Sequence, residues 1–351
     1  MITIHSSFIG GNIQVKEING DTVLLDNELR DSGQDWFYWA FCIEGAAGRT
    51  LTFQFPKTRL GYWGPAVSHD LVEWHWLNDV SNDAFCYRFE AHENKVYFAH
   101  SPLYHPDRFF GLCRTLGLTV DELCKSRKGR SVPCLHIGNG NKSILLTARH
   151  HACESPGSYV LEGVLQELTA HPMEDTRILV VPFVDLDGVI EGDQGKARVP
   201  HDHNGDYAGE PLYPEARAIR DYATEFGCHY ALDLHAPWHR GAQNDHVFVV
   251  RKCAEKLDRF ERLSALLEAE VTPSSMQYQG ENDHAPDTGW NKSNGPGFAS
   301  AMNKRPENIL AFALENTYFG TADNVSTPDR LIELGKCFIR AIKKYDNEVT
   351  P

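Results

Sequence analysis

Histidines and carboxylates recur at the ends of short apolar runs in this chain. His151-Ala152-Cys153-Glu154 sets a histidine and a glutamate three positions apart, directly after the run Ile144-Leu145-Leu146. On a tight strand-to-helix turn such a pair can aim an imidazole nitrogen and a carboxylate at one metal ion. By itself the pair is weak, because roughly one H-x-x-E is expected by chance in a chain this rich in His and Glu. His171-Pro172-Met173-Glu174 has the same spacing but falls between a helix and a strand, where a connecting loop is the better reading. A second apolar run ends in Asp233-Leu234-His235, and a third, Ile309 to Leu314, ends in Glu315. Open α/β sheets bind ligands at the carboxyl ends of their strands. His151, Glu154 and His235 would hold one Zn2+ per chain and leave a fourth position open to water, which is the catalytic rather than the structural arrangement.

The elements that must position these groups form two blocks. From about residue 105 helices and strands alternate, which predicts an α/β fold with a mixed, largely parallel sheet flanked by helices. Ser155-Pro156-Gly157-Ser158 opens a helix whose Val160, Leu161, Val164, Leu165 and Leu168 form one apolar face. Helices are also predicted at Pro106 to Leu118, at Val120 to Lys125, at Pro214 to Phe226, at Ala254 to Val271 and at Asp329 to Tyr345. Strands are predicted at Leu135 to Gly138 and Ile144 to Arg149, joined as a hairpin by Asn139-Gly140-Asn141. Ile178 to Val184, Tyr230 to His235 and His246 to Val250 complete the set, with Thr272 to Asn308 as a long loop.

Residues 1–104 instead alternate in short segments punctuated by Gly, Asn and Asp, from Ile13 to Val15 through Trp36 to Ile43 and Val96 to Ala99. That pattern predicts an antiparallel β-sandwich domain, followed by a catalytic domain over 105–351. Its aromatic load (Trp36, Phe37, Tyr38, Trp39, Trp63, Trp74 and Trp76) suits core and inter-domain packing better than a carbohydrate platform.

Composition narrows the partners. Thirty-four basic against 48 acidic residues give a net charge of -14, which argues against a nucleic-acid partner. Its densest basic run, Lys125-Ser126-Arg127-Lys128-Gly129-Arg130, reads as a solvated loop. No apolar run is long enough to span a bilayer, so no membrane partner is expected. Met1-Ile2-Thr3-Ile4-His5 lacks the basic start and apolar core of a signal peptide, so a cytoplasmic location is expected. Nine cysteines, an odd number without C-x-x-C pairs, read as reduced thiols, and Cys153 between two ligands reads as packing rather than nucleophile.

These motifs together resemble the M14 zinc carboxypeptidases, and more closely their cytosolic carboxypeptidase-like branch with an amino-terminal β-sandwich. His151-Ala152-Cys153-Glu154 matches the first ligand pair and Asp233-Leu234-His235 the last ligand. Asp185-Leu186-Asp187-Gly188-Val189 is similar to the family's N-P-D-G-V segment, and Trp36-Phe37-Tyr38 to its W-F-Y-F element. Leu314-Glu315-Asn316-Thr317-Tyr318 is similar to the segment bearing the catalytic glutamate. The resemblance implies Glu315 as general base. It implies that Arg198 polarises the scissile carbonyl, that Asp202 orients His151, and that Asn204 contacts the substrate carboxylate. Gly205 stands where the family carries a carboxylate-clamping arginine; Arg240 is the candidate replacement. Tyr278, Trp290 and Tyr318 are candidates for the family's mobile tyrosine.

The function expected is zinc-dependent hydrolysis of a C-terminal peptide or amide bond in a peptide or small amide substrate. A zinc amidase or deacylase acting on N-acyl amino acids is the alternative that Gly205 keeps open. A non-catalytic binding protein descended from such an enzyme is disfavoured, because all three ligands and Glu315 are present.

Overall fold

In a computed structural model, residues 2–80 and 83–349 are described; Met1, where the amino-terminal reading begins, lies outside them. The first block folds into β1 (Thr3–His5), β2 (Gln14–Asn19), β3 (Thr22–Asp26), β4 (Ala40–Glu44), β5 (Thr50–Gln54), β6 (Ala66–Ser68), β7 (His75–Trp76), β8 (Ala84–Arg88) and β9 (Lys95–Ala99). These make a five-stranded sheet, ordered β1-β4-β9-β6-β7, and a four-stranded one, ordered β2-β3-β5-β8.

Period-two burial turns one face of each sheet inward. Leu51 and Phe53 of β5, Val23 and Leu25 of β3, and Phe41, Phe98 and Phe85 meet in one core. Phe53 lies 5.3 Å from Phe41 and 5.5 Å from Phe98, centroid to centroid. The expectation of a wholly antiparallel unit is corrected at one place, where β3 and β5 pair in parallel.

The second block contributes α1 (Pro106–Leu116), β10 (Asp121–Lys125), β11 (Ser131–Gly138), β12 (Lys142–Ala148), α2 (Ser155–Ala170), β13 (Thr176–Val181), α3 (Leu186–Glu191), α4 (Pro214–Phe226), β14 (Tyr230–His235), β15 (Phe248–Arg251), α5 (Leu257–Glu270), α6 (Phe298–Asn303), β16 (Leu310–Glu315) and α7 (Pro328–Val349). Its seven-stranded sheet runs β10-β11-β13-β12-β14-β16-β15. The four strands from β13 to β16 in that order are mutually parallel, and the edge pairings β10–β11, β11–β13 and β16–β15 are antiparallel. Helices flank the sheet: α2 packs along α7, α7 meets α5, and α4 and α6 pack separately against strands.

Two local expectations fail for tertiary reasons. Val120 to Lys125 is a strand rather than a short helix, because Asp121 to Lys125 pair antiparallel with Ser131 to Cys134 and extend the sheet edge. Leu135 to Gly138 and Ile144 to Arg149 do not form a hairpin, since β13 inserts between them. The Asn139-Gly140-Asn141 segment instead crosses over the start of β13, where the Gly140 amide donates to the Thr176 carbonyl at 2.9 Å. A Cβ at position 140 would lie 1.9 Å from the Asp175 carbonyl carbon, so this glycine marks a close backbone approach rather than a two-strand turn.

The aromatics of the first block divide between two jobs. Trp39 is buried in the two-sheet core, its indole N–H on the Arg59 carbonyl at 2.9 Å. Phe37, Tyr38, Trp74, Trp76 and Tyr97 pack against Cys153, Ala236, Tyr318 and Phe319 of the second block. Trp76 and Trp63 donate across that boundary to the carbonyls of Ser326 (2.7 Å) and Phe319 (2.9 Å).

Candidate metal centre and cavity

The chain after β12 turns sharply because Arg149 adopts φ 61°. A left-handed non-glycine residue costs energy and persists only where its surroundings over-determine it. Here the buried Arg149 guanidinium reaches back to the Ala152 carbonyl, with Nε at 2.8 Å, and clasps the loop that carries His151. Glu154 sits at the N-cap of α2 yet makes no capping hydrogen bond, so its carboxylate is free to face the loop. On the neighbouring strands, His235 of β14 and Glu315 of β16 are directly paired in register, which sets both side chains at the same sheet edge.

His151 Nδ1 lies 2.9 Å from Glu154 Oε1, and His235 Nδ1 lies 2.8 Å from Glu154 Oε2 and 3.2 Å from His151 Nδ1. Three buried donors therefore converge on one point. Two ring nitrogens facing one another beside a shared carboxylate form a set that a cation completes. Each outer ring nitrogen also faces a carboxylate, as metal-ligating histidines usually do. His235 Nε2 is 2.6 Å from Asp233 Oδ2, whereas His151 Nε2 is 3.6 Å from Asp202 Oδ2, an ion-pair separation rather than a hydrogen bond. Burial alone would push the Glu154 carboxyl up, but His151, Lys196 and His235 hold it well below the usual range. A second cluster, His150, Asp233 and His235, shares residues with the first. His150 has both ring nitrogens engaged, by Asp233 and the Tyr207 hydroxyl at 2.8 Å each, and acts as support.

A cavity of about 250 Å³ opens beside the cluster, lined among others by His151, His235, Glu315, Lys196, Asn204 and Lys252. Trp36, Trp238 and Trp290 form its aromatic walls. Glu315 is buried and its Oε2 has no hydrogen-bond partner among the described residues. Burial raises its pKa against the pull of His235, with Glu154 adding to the rise. Lys196 Nζ stands 3.0 Å from Glu154 Oε1 and over the Trp36 ring at 5.5 Å. Burial draws the amine down, but Glu154, Glu315 and Asp202 outweigh it and raise its pKa. Its neighbour Gly195 (φ 75°) allows the approach, since a Cβ there would lie 2.1 Å from the Ala152 nitrogen.

Of the residues expected at the site, His151, His235, Glu315 and Asn204 line this cavity, and Glu154 joins His151 and His235 in the donor cluster beside it. Three others lie away from it. Arg198 is drawn away into a cage of carboxylates, with contacts of 3.1 Å to Asp31, 2.6 Å to Asp185 and 2.9 Å to Asp193. Arg240 lies over the Tyr62 ring at 5.1 Å and does not line the cavity. Tyr318 is buried with the aromatic layer between the blocks, its hydroxyl 3.5 Å from the Cys153 carbonyl. Cys153 is itself buried in that layer, with burial pushing its thiol up to about 12, and all nine cysteines are free. His171 pairs with Glu167 at 3.0 Å at the exposed end of α2, as a loop histidine would. Among the other mobile-tyrosine candidates, Tyr278 is buried on Asp283 at 2.8 Å, while Trp290 lines the cavity.

Three residues were missed by sequence reasoning. Asp233 had a usable signal, since it stands two positions before His235 and therefore on the same strand face. Lys196 and Lys252 had none, because only the folded chain brings them to the cavity.

Sheet, cluster and glutamate together define a class, the metallo-carboxypeptidase fold. Over 99% of this chain and 100% of the other, the structure matches a metallo-carboxypeptidase from Burkholderia cenocepacia with a TM-score of 0.82 and 17% identity. In sequence it is 28% identical over 315 residues to an uncharacterised protein of Zymomonas mobilis, 80% of each chain. It is 25% identical over 226 residues to cytosolic carboxypeptidase 2 of Xenopus tropicalis, covering 55% of this chain and only 23% of that protein's length. No family model matches the chain. Its fold is that of a metallo-carboxypeptidase, and part of its sequence is similar to cytosolic carboxypeptidases. Its named relatives are cytosolic carboxypeptidases and its structural neighbours include metallo-carboxypeptidases, enzymes that are hydrolases. No helix among the described residues is long and apolar enough to cross a membrane.

Proposed function

We propose that this chain is a cytoplasmic zinc-dependent hydrolase of C-terminal peptide or amide bonds, with 1–104 a β-sandwich domain packed against a catalytic domain over 105–351. The observation that carries this reading is the buried, unpartnered Oε2 of Glu315 on the cavity that His151 and His235 also line, with Glu154 completing the converging donors behind them. A zinc ion held by those three residues would polarise the scissile carbonyl and acidify the attacking water. Glu315 takes the proton of that water as its oxygen bonds to the carbonyl carbon, and delivers it to the leaving nitrogen as the C–N bond breaks. Lys196, rather than Arg198, is the cation that meets charge developing on the carbonyl oxygen. Asp233 holds His235 in orientation, Asp202 supports His151, and Asn204 contacts the substrate.

Wild-type protein should carry about one zinc per chain by elemental analysis, and His235→Ala should lose it. Glu315→Gln should keep zinc while turnover of a C-terminal peptide and N-acyl amino acid library falls at least ~10²-fold. Retention of zinc by His235→Ala, or undiminished turnover in Glu315→Gln, would overturn the assignment. A second reading, an amidase or deacylase, is favoured by the absence of arginine among the cavity-lining residues. Release of the acyl group rather than of a C-terminal residue in that library would select it.

A further inference from the structure

We propose that Lys252 is the carboxylate-binding residue of this site, anchoring an anionic group on the residue that is released. This rests on the hydrolase reading above and assigns to one residue of this chain the carboxylate contact that Gly205 cannot make.

Register places the lysine. In β15, Phe248 pairs with Glu315 and Val250 with Ala313, so alternation sets Phe248, Val250 and then Lys252 on one face. Val250, Ala313, Glu315 and Lys252 accordingly all line the cavity. Lys252 stands four residues past Phe248, the residue paired with Glu315, so its backbone lies roughly 13 Å along the strand from that level and its long side chain reaches back to the cavity.

The ammonium is also the cavity's uncommitted charge. Lys196 is paired with Glu154, but among the described residues Lys252 makes no ion pair within 4.0 Å and no side-chain hydrogen bond. It is half-buried, and its Nζ lies 5.7 Å from the Trp290 ring centroid. A charge withdrawn from water without a counter-ion is costly, and an incoming carboxylate removes that cost. Asn204 supplies a second donor on the same cavity, because its Oδ1 accepts from the Phe298 amide at 3.1 Å and leaves its NH2 free. Gly205 contributes no side chain, and Arg198 and Arg240 do not line the cavity, so Lys252 answers the missing clamp.

Two substrate pairs test this: N-benzoyl-alanine against its amide, and N-benzoyl-glutamate α-amide against N-benzoyl-glutamine α-amide. The wild-type protein should prefer the carboxylate in at least one pair by ten- to hundredfold in kcat/KM, as expected for one hydrogen bond to a charged group. Lys252→Met should erase that preference, and Lys252→Arg should retain it. A preference in the first pair assigns Lys252 to the terminal carboxylate, and in the second to an acidic side chain. Lys252→Gln repeats the comparison with a polar end if Met perturbs packing. Calorimetric titration of Glu315→Gln with the same four compounds reads binding without turnover. If no compound is hydrolysed but binding depends on Lys252, the hydrolase reading falls, while Lys252 stands as the carboxylate-binding residue of the cavity. Equal affinity and turnover within both pairs, or a preference untouched by Lys252→Met, overturns it.

Discussion

Lys196 and Arg198 leave the same segment two residues apart and arrive in opposite settings. The lysine enters the cavity, buried against Glu154 and the Trp36 ring. The arginine enters a separate hollow of about 400 Å³ lined by Asp31, Asp185, Asp193, His203 and Glu215. The two regions differ in what their cation lacks. Around Arg198 three carboxylates already surround one guanidinium, so little of its charge is left for a substrate. Lys196 has a single carboxylate contact, and that carboxylate is itself shared by two imidazoles. A cation can act on a reacting atom only if its own structure has not consumed it. A guanidinium with five fixed donors suits a cage, and a single compact ammonium suits a confined site.

The contrast can be broken at either end, and the largest effect is expected at the cage. Arg198→Ala removes the cation shared by three carboxylates, of which Asp193 alone keeps an arginine partner, Arg30, and should cost about 3–5 kcal/mol of stability in denaturant unfolding, the usual result of removing one partner from a buried pair. Zinc content and kcat of the folded protein should stay close to wild type. Full stability with a hundredfold fall in kcat would instead restore Arg198 to the chemistry.

At the cavity, Lys196→Met should lower kcat by ~10²–10³, the loss typical of one donor to a developing oxyanion, with zinc retained. Lys196→Arg should recover part of it. A kcat equal to wild type in Lys196→Met would leave the carbonyl oxygen without a protein cation in this proposal.

The smallest effect concerns Glu215, whose carboxyl lies on the Arg198 hollow and is pushed up to about 7 by burial, with Asp185 adding to it. A raised carboxyl pKa means that the folded chain binds a proton which the unfolded chain releases above ~4.5. Glu215 therefore lowers stability progressively as pH rises from about 4.5 to 7. Glu215→Gln should remove roughly 1–3 kcal/mol of that decline, read as a smaller difference between unfolding free energies at pH 5 and pH 8. An unchanged difference would show that Glu215 titrates normally.

Much of the metal cluster was legible because its donors end apolar runs, and strand ends converge in an open sheet. That pattern set His151, Glu154, His235 and Glu315 at the ends of apolar runs, while the role expected of Glu315 came from the family resemblance. Helix α4 was readable to the residue, Pro214–Phe226, because proline fixes its first turn and Gly227 follows its last. Strand order was not legible. Asn139-Gly140-Asn141 carries the chemistry of a hairpin turn, but the same small residues serve a close crossing over β13, and only the partner strand distinguishes the two. Val120 to Lys125 likewise took its conformation from pairing with β11.

The sequence by itself determined which residues can hold a metal and which strand ends present them, since both follow from residue type and local period. Tertiary structure alone decided which charges stay available. Arg198, Arg240 and Tyr318 have suitable side chains but end in a carboxylate cage, over Tyr62, and in the layer between the blocks. Lys196 and Lys252 carry no motif and still reach the cavity. The difference is physical: a charged side chain reaches several ångströms from its backbone and goes to the counter-charge or opening that the fold provides, which no spacing along the chain encodes.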